Sequence, residues 1–173
     1  MVKTKTITEG KLLFSKKGVT KILREGFYFW SPADYELYKK FSELNEYCVK
    51  VTDFVDSQTF TMEKLDIVDD VHHLLETPYY KHFVDDELIF NIIHTWARVY
   101  ADCISFSKQN LPPNQYFLHG DMTLENMVVT TDKKVKLLDP NAFKTHEKFL
   151  TTKYLGNYSR IIISAMMYSK VYI

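Results

Sequence analysis

Hydrophobic and polar positions along this chain change period partway. Residues 3 to 30 alternate in the manner of strands, with strands over Thr4 to Glu9, Lys11 to Ser15 and Val19 to Arg24. Glu9-Gly10 and Lys16-Lys17-Gly18 supply the turns between them. Ser31-Pro32-Ala33-Asp34 then opens a helix, with Ser31 as N-cap and Pro32 at the first helical position. Tyr35, Leu37, Tyr38, Phe41 and Leu44 form its apolar face. Two more strands are predicted near Cys48 to Phe54 and Thr59 to Lys64. Beyond residue 66 the period becomes helical. Asp69 to Leu75 reads as a short helix with acids at its start. Asp85 to Gln109 reads as a long one, with Ile89, Ile92, Ile93, Trp96, Val99, Tyr100, Cys103 and Ile104 on one stripe. Leu111-Pro112-Pro113-Asn114 ends it. Tyr116 to Leu118, Met127 to Val129 and Val135 to Leu138 read as short strands, and a last helix is expected over about 153 to 172.

The strands near the end carry the chemistry. Leu118-His119-Gly120-Asp121-Met122-Thr123-Leu124-Glu125-Asn126 is followed by Leu137-Leu138-Asp139-Pro140. A hairpin from Met127 to Leu138, turning through Thr130 to Lys134, brings Asn126 and Asp139 to one end, beside Asp121. Three oxygen-bearing side chains then converge, as a hard cation such as Mg²⁺ requires. This arrangement resembles the catalytic loop and metal-binding aspartate of the protein-kinase-like fold. The His-Gly-Asp form is similar to the aminoglycoside phosphotransferase and choline kinase branch. The resemblance implies an α+β, two-lobed fold: an antiparallel-sheet N-lobe over residues 1–66 and a reduced helical C-lobe over 67–173. It implies an ATP- and Mg²⁺-dependent phosphotransferase acting on a hydroxyl of a small-molecule acceptor. Asp121 would be the catalytic base, Asn126 and Asp139 the Mg²⁺ ligands, and His119 a structural support beneath the loop. The resemblance also implies a strand lysine on the ATP phosphates, at Lys21 with Arg24 as a rival. A helix glutamate would orient it, at Glu36 with Glu43 as a rival. Backbone groups of Glu63 and Leu65 would read adenine.

The chain departs from the family in three places. It has no glycine-rich phosphate loop; only Gly10 lies at the first hairpin. Pro140 and Asn141 stand where Phe and Gly usually follow the metal-binding Asp, and Asn141 is expected to take the unusual backbone angles of that Gly. Only 34 residues follow Asp139, too few for a full substrate platform. A non-catalytic nucleotide-binding module is therefore the alternative, and a minimal protein kinase a further one. Gly120 argues against the latter, since protein kinases place there an Arg that senses a phosphorylated loop.

Composition narrows the remaining classes. Lys and Arg number 22 and so do Asp and Glu, so no basic field points to nucleic acid. Hydrophobic residues make up 46% of 173, enough for a buried core and too many for disorder. Cys48 and Cys103 have no metal spacing and suit free thiols in a reducing cytoplasm. The N-terminus has no signal-like apolar core, and no apolar run is long enough to span a bilayer. His72 and His73 are adjacent on a helix, so one is expected to face water and the other to pack. His94 is expected to be a packed or rim residue.

Overall fold

A computed structural model describes residues 3–26 and 30–147. The architecture is α+β with antiparallel sheets. The first three strands, β1 (Lys3–Ile7), β2 (Gly10–Phe14) and β3 (Val19–Leu23), form a meander. Helix α1 (Pro32–Leu44) follows, then β4 (Val51–Asp56) and β5 (Thr59–Met62). Together these strands make one five-stranded sheet in the order β1-β2-β3-β5-β4. The turn glycines are held by close packing. A Cβ on Gly10 would stand 2.0 Å from the Ile22 carbonyl oxygen, and one on Gly18 2.3 Å from that of Met62.

Helix α1 starts as its sequence dictates. The Ser31 hydroxyl accepts from the Asp34 amide at 3.0 Å, and Pro32 occupies the first turn. Its apolar face enters a chain of rings. Trp30, fully buried, lies edge-on to Tyr35, Tyr38, Phe54 and Phe60 at centroid distances of 5.0–5.9 Å. Phe41 and Tyr38 continue the chain to Phe143, and from there it reaches Phe117 and Phe106. Pairs of this geometry add about 0.5–1.5 kcal/mol each beyond the area they bury. One hydrophobic core thus runs from the five-stranded sheet through α1 to the later elements.

The second half differs from the sequence expectation in two places. Ile67–Asp70 is a strand, β6, and the following helix α2 covers only Val71–Glu76. The acids do serve the helix start, since the Asp70 carboxylate accepts from the His73 amide at 2.8 Å. Ile67, Asp69 and Asp70 themselves pair with β8 (Met127–Thr130), which pairs in turn with β9 (Val135–Leu137). Phe143–His146 forms β10 against β7 (Tyr116–His119), a strand the sequence pattern did not reveal. Helix α3 (Asp86–Asn110) matches its expected stripe, capped by the Asp85 carboxylate on the Leu88 amide. The Ser107 hydroxyl on α3 accepts from the Phe117 amide at 2.8 Å and fixes β7 to the helix. His72 pairs with Glu76; His73 pairs with Asp69 and lies edge-on to the Tyr80 ring at 6.0 Å, and both keep part of their surface exposed. His94 is exposed and stacks on Phe90. The helix expected over 153 to 172 lies outside the described residues. No described helix is long and apolar enough to cross a membrane.

Candidate functional site

Two hairpins and the turn after β9 assemble the site. The β8–β9 register pairs Met127 with Leu137, so Asn126 and Leu138 face each other just beyond the ladder. The Leu138 amide donates to the Asn126 carbonyl at 2.7 Å. That bond sets Asn126 beside the Leu138-Asp139 segment, as the sequence spacing predicts.

His119 holds the loop before Asn126. Its Nδ1 accepts from the Asp121 amide at 3.1 Å, and its Nε2 lies 3.1 Å from the Leu138 carbonyl oxygen. An amide needs an acceptor and a carbonyl needs a donor, so the ring is the neutral Nε2–H tautomer. The ring is buried and lies edge-on to Phe143 at 4.9 Å. His119 therefore ties the Asp121 loop to the strand leading to Asp139, the structural position the sequence suggests. Gly120 adds a second tie, its amide donating to the Ala142 carbonyl at 2.8 Å.

Asp121 is exposed at the surface of this loop. Asn126 Nδ2 donates to its carbonyl at 2.7 Å and to its carboxylate at 3.2 Å. The Asn126 Oδ1 atom is left as an oxygen donor. Asp139 takes the left-handed conformation, with φ 55° and ψ 58°. The unusual angles thus fall on Asp139 rather than on Asn141, because the turn into Pro140–Ala142 is made two residues earlier. Aspartate tolerates that region better than most residues.

Lys21 reaches this group from the five-stranded sheet. Its amine is 2.8 Å from Asp139 Oδ1, 3.2 Å from Asn141 Oδ1 and 2.6 Å from Glu9 Oε2. The lysine side chain is 2% exposed, while the Glu9 and Asp139 side chains keep 33% and 25%. A buried ammonium needs such partners, since desolvation without them would cost several kcal/mol. Lys21 and Asp139 are therefore brought together. Glu36 is not: it lies exposed on α1, whose inward face is taken by Tyr38, Phe41 and Ser42. The carboxylates on Lys21 are Glu9 and Asp139 instead. Glu43 is also exposed on α1, and Arg24, just past the end of β3, donates to the Thr8 carbonyl. Neither rival reaches the site.

Beside these residues lies a cleft of about 380 Å³. Leu12, Phe14, Val19, Met62, Val128 and Leu138 give it apolar walls. Glu63 and Leu65 line it too. The Glu63 amide donates to the Lys50 carbonyl and its carboxylate accepts from the Lys50 amide, both at 2.8 Å. Among the described residues no hydrogen bond engages the Leu65 amide or the Glu63 carbonyl. Glu125 and Leu138, chain neighbours of Asn126 and Asp139, stand in the cleft wall.

The donor chemistry fits a magnesium ion. Among the described residues Asp139 Oδ2 has no partner, and Asn126 Oδ1 is a second hard oxygen close by in the fold. Magnesium bound with a nucleotide takes one or two protein oxygens and fills its remaining positions with phosphates and water. No group of three or more His, Cys, Asp or Glu side chains forms a self-sufficient metal cage among the described residues.

Glu9 and Asn141 were the residues sequence reasoning missed. Glu9 sits in a hairpin turn, where an acid is normally solvated. Its one signal was that a lysine predicted on an inner strand needs a carboxylate from a neighbouring element. Asn141 had a weak signal in the Asp-Pro-Asn run, which was read for backbone freedom and not for a buried amide. No protein-family model matches this chain, and no curated protein matches it.

Proposed function

We propose that this chain is an ATP- and Mg²⁺-dependent phosphotransferase of the two-lobed, protein-kinase-like architecture, acting on a hydroxyl of a small-molecule acceptor. Sugars, aminoglycoside-like compounds and amino alcohols are the acceptor classes the resemblance implies. One observation carries the reading. Lys21, Asp139, Asn126 and Asp121, drawn from three separate chain segments, gather beside an apolar cleft of nucleotide-binding size. The strand and helix order of the first 62 residues, three strands, a helix and two strands, supports the same architecture.

In this reading adenine lies between Leu12 and Val19 on one side and Leu138 on the other. The unengaged Leu65 amide and Glu63 carbonyl read its edge. Lys21 directs its amine at the phosphates. Asn126 and Asp139 hold Mg²⁺, which neutralises charge on the phosphates when bound. Asp121, aimed by Asn126 Nδ2, accepts the proton of the acceptor hydroxyl as the hydroxyl oxygen bonds to the terminal phosphorus and the bond from that phosphorus to the bridging oxygen breaks, ADP leaving with the bond's electron pair. His119 keeps the Asp121 loop and the Asp139 segment in register.

The alternative, a non-catalytic nucleotide-binding module, draws on a specific observation. Lys21 is buried and already shared between two carboxylates, so a phosphate must compete for it. Calorimetric titration with Mg-ATP, followed by a screen for ADP release over acceptor pools, separates the readings. The enzyme reading expects binding and turnover. It also expects Asp121→Asn to keep binding while its rate falls by a factor on the order of 10² to 10⁴. Binding with no transfer to any pool favours the module. Absence of Mg-ATP binding removes both.

A further inference from the structure

We infer that Glu9, in the β1–β2 turn, is the positioning residue for Lys21, so the first hairpin rather than helix α1 governs the lysine's access to a phosphate-bearing ligand. The inference rests on the nucleotide reading of the cleft, and it names a residue that reading did not contain.

The geometry points to Glu9 in three ways. Its carboxylate makes the shortest contact to the Lys21 amine, 2.6 Å against 2.8 Å for Asp139 and 3.2 Å for Asn141. The turn that carries it is fixed to the strand after Lys21. The Arg24 amide donates to the Glu9 carbonyl at 2.7 Å, and the Arg24 guanidinium donates to the neighbouring Thr8 carbonyl at 3.1 Å. Gly10 cannot shift the turn outward cheaply by taking a side chain, since its Cβ position is 2.0 Å from Ile22 O. The backbone that carries this carboxylate is therefore held against the strand of Lys21.

Charge accounting gives Glu9 a distinct task. One ammonium faces two carboxylates, which leaves the group at −1. A cation on Asp139 would draw that carboxylate away from Lys21. Glu9 would then be the remaining acid on the amine, keeping it in place. The pairing also cancels negative charge in a turn that the resembled family builds from phosphate-facing glycines. A carboxylate there without Lys21 would repel a triphosphate.

The test labels lysines in the full chain with an amine-acetylating reagent and reads Lys21 against exposed Lys16 by peptide mass spectrometry. Glu9→Ala is expected to raise the Lys21 rate by about fivefold or more, consistent with loss of one close ion-pair contact discounted for the partial exposure of Glu9. Glu9→Asp should restore most of the protection. A general loss of packing would not be rescued by a shorter acid. Titration with Mg-ATP should show the same order of affinities, with Glu9→Ala weakest. Unchanged Lys21 labelling in Glu9→Ala overturns the inference. Should Glu9→Ala fail to fold, Glu9→Gln is read the same way, and a Lys21 rate equal to wild type again overturns it. If wild type binds no Mg-ATP but Lys21 labelling still responds to Glu9, the positioning role stands and the nucleotide reading falls.

Discussion

Replacing Lys21 with Met tests the polar cluster most directly. The substitution keeps the apolar stem and removes the charged amine. Three contacts disappear, to Glu9, Asp139 and Asn141. Breaking a fully buried ion pair by removing one partner costs about 3–5 kcal/mol. A solvent-exposed pair is worth about 0–1 kcal/mol. Here the lysine is buried, but the Glu9 and Asp139 side chains remain a third and a quarter exposed and can recover hydration. The expected loss therefore falls between those limits, at about 2 kcal/mol. In a chain of this length that corresponds to a fall in Tm of about 4–8 °C. Urea unfolding, read as a change in midpoint at constant slope, measures it. The double variant Lys21→Met with Asp139→Asn should recover part of the loss, because one of the two stranded carboxylates is gone. If Lys21→Met unfolds within about 0.5 kcal/mol of wild type, the cluster is a surface ion pair and the reasoning from burial is refuted.

Other expectations are more local. Gly18→Ala should destabilise by about 1–3 kcal/mol, since its Cβ would overlap the Met62 carbonyl oxygen; equilibrium unfolding reads it. The Lys134 ammonium and the Thr130 hydroxyl hold the Asp132 carboxyl at about 2, below its ordinary 3.8. A depressed carboxyl gives stability that is present above pH 3.8 and lost as pH falls toward 2. Asp132→Asn should therefore lower stability slightly above pH 3.8, neutrality included, and flatten the acid limb of the stability-against-pH curve within that window. Burial raises the Cys48 and Cys103 thiols well above their ordinary range. Both should resist alkylation at neutral pH in the native state and react when urea opens the core.

The grouping of Asp121, Asn126 and Asp139 was more legible in the sequence than the contacts that hold it. The Asp121, Asn126 and Asp139 spacing is local, because a single hairpin sets it, and a hairpin is legible from alternating residues and a polar turn. Helix α3 was equally clear from its stripe. Strand β10 was hidden because Phe143 to His146 is four residues long and pairs with a strand 24 or more positions earlier. Nothing in so short a run fixes its partner. Strand β6 was mistaken for a helix start because Asp69 and Asp70 suit both. Asp69 in fact turns its carboxylate to His73 and the Tyr80 hydroxyl. Burial pushes its carboxyl up, and bonds from Tyr80, His73 and the Asp70 amide together bring it lower than usual. Glu36 was misassigned for the opposite reason. A helix pattern predicts which residues are apolar, and it says little about which acid meets a lysine contributed by another element.

The ring cluster around Trp30 has an optical consequence. The chain carries two tryptophans, Trp30 and Trp96. Trp30 is enclosed by Tyr35, Tyr38, Phe54 and Phe60 next to the five-stranded sheet, whereas Trp96 stacks on Tyr100 along α3. Trp30 should emit at the blue end of the indole range and collect excitation from its two tyrosine neighbours. Trp96→Phe leaves Trp30 as a sole fluorophore for the sheet and the first helix. Trp30→Phe leaves Trp96 reporting on the long helix. The two spectra would then follow nucleotide addition or unfolding at two separate places in one chain, with no label attached.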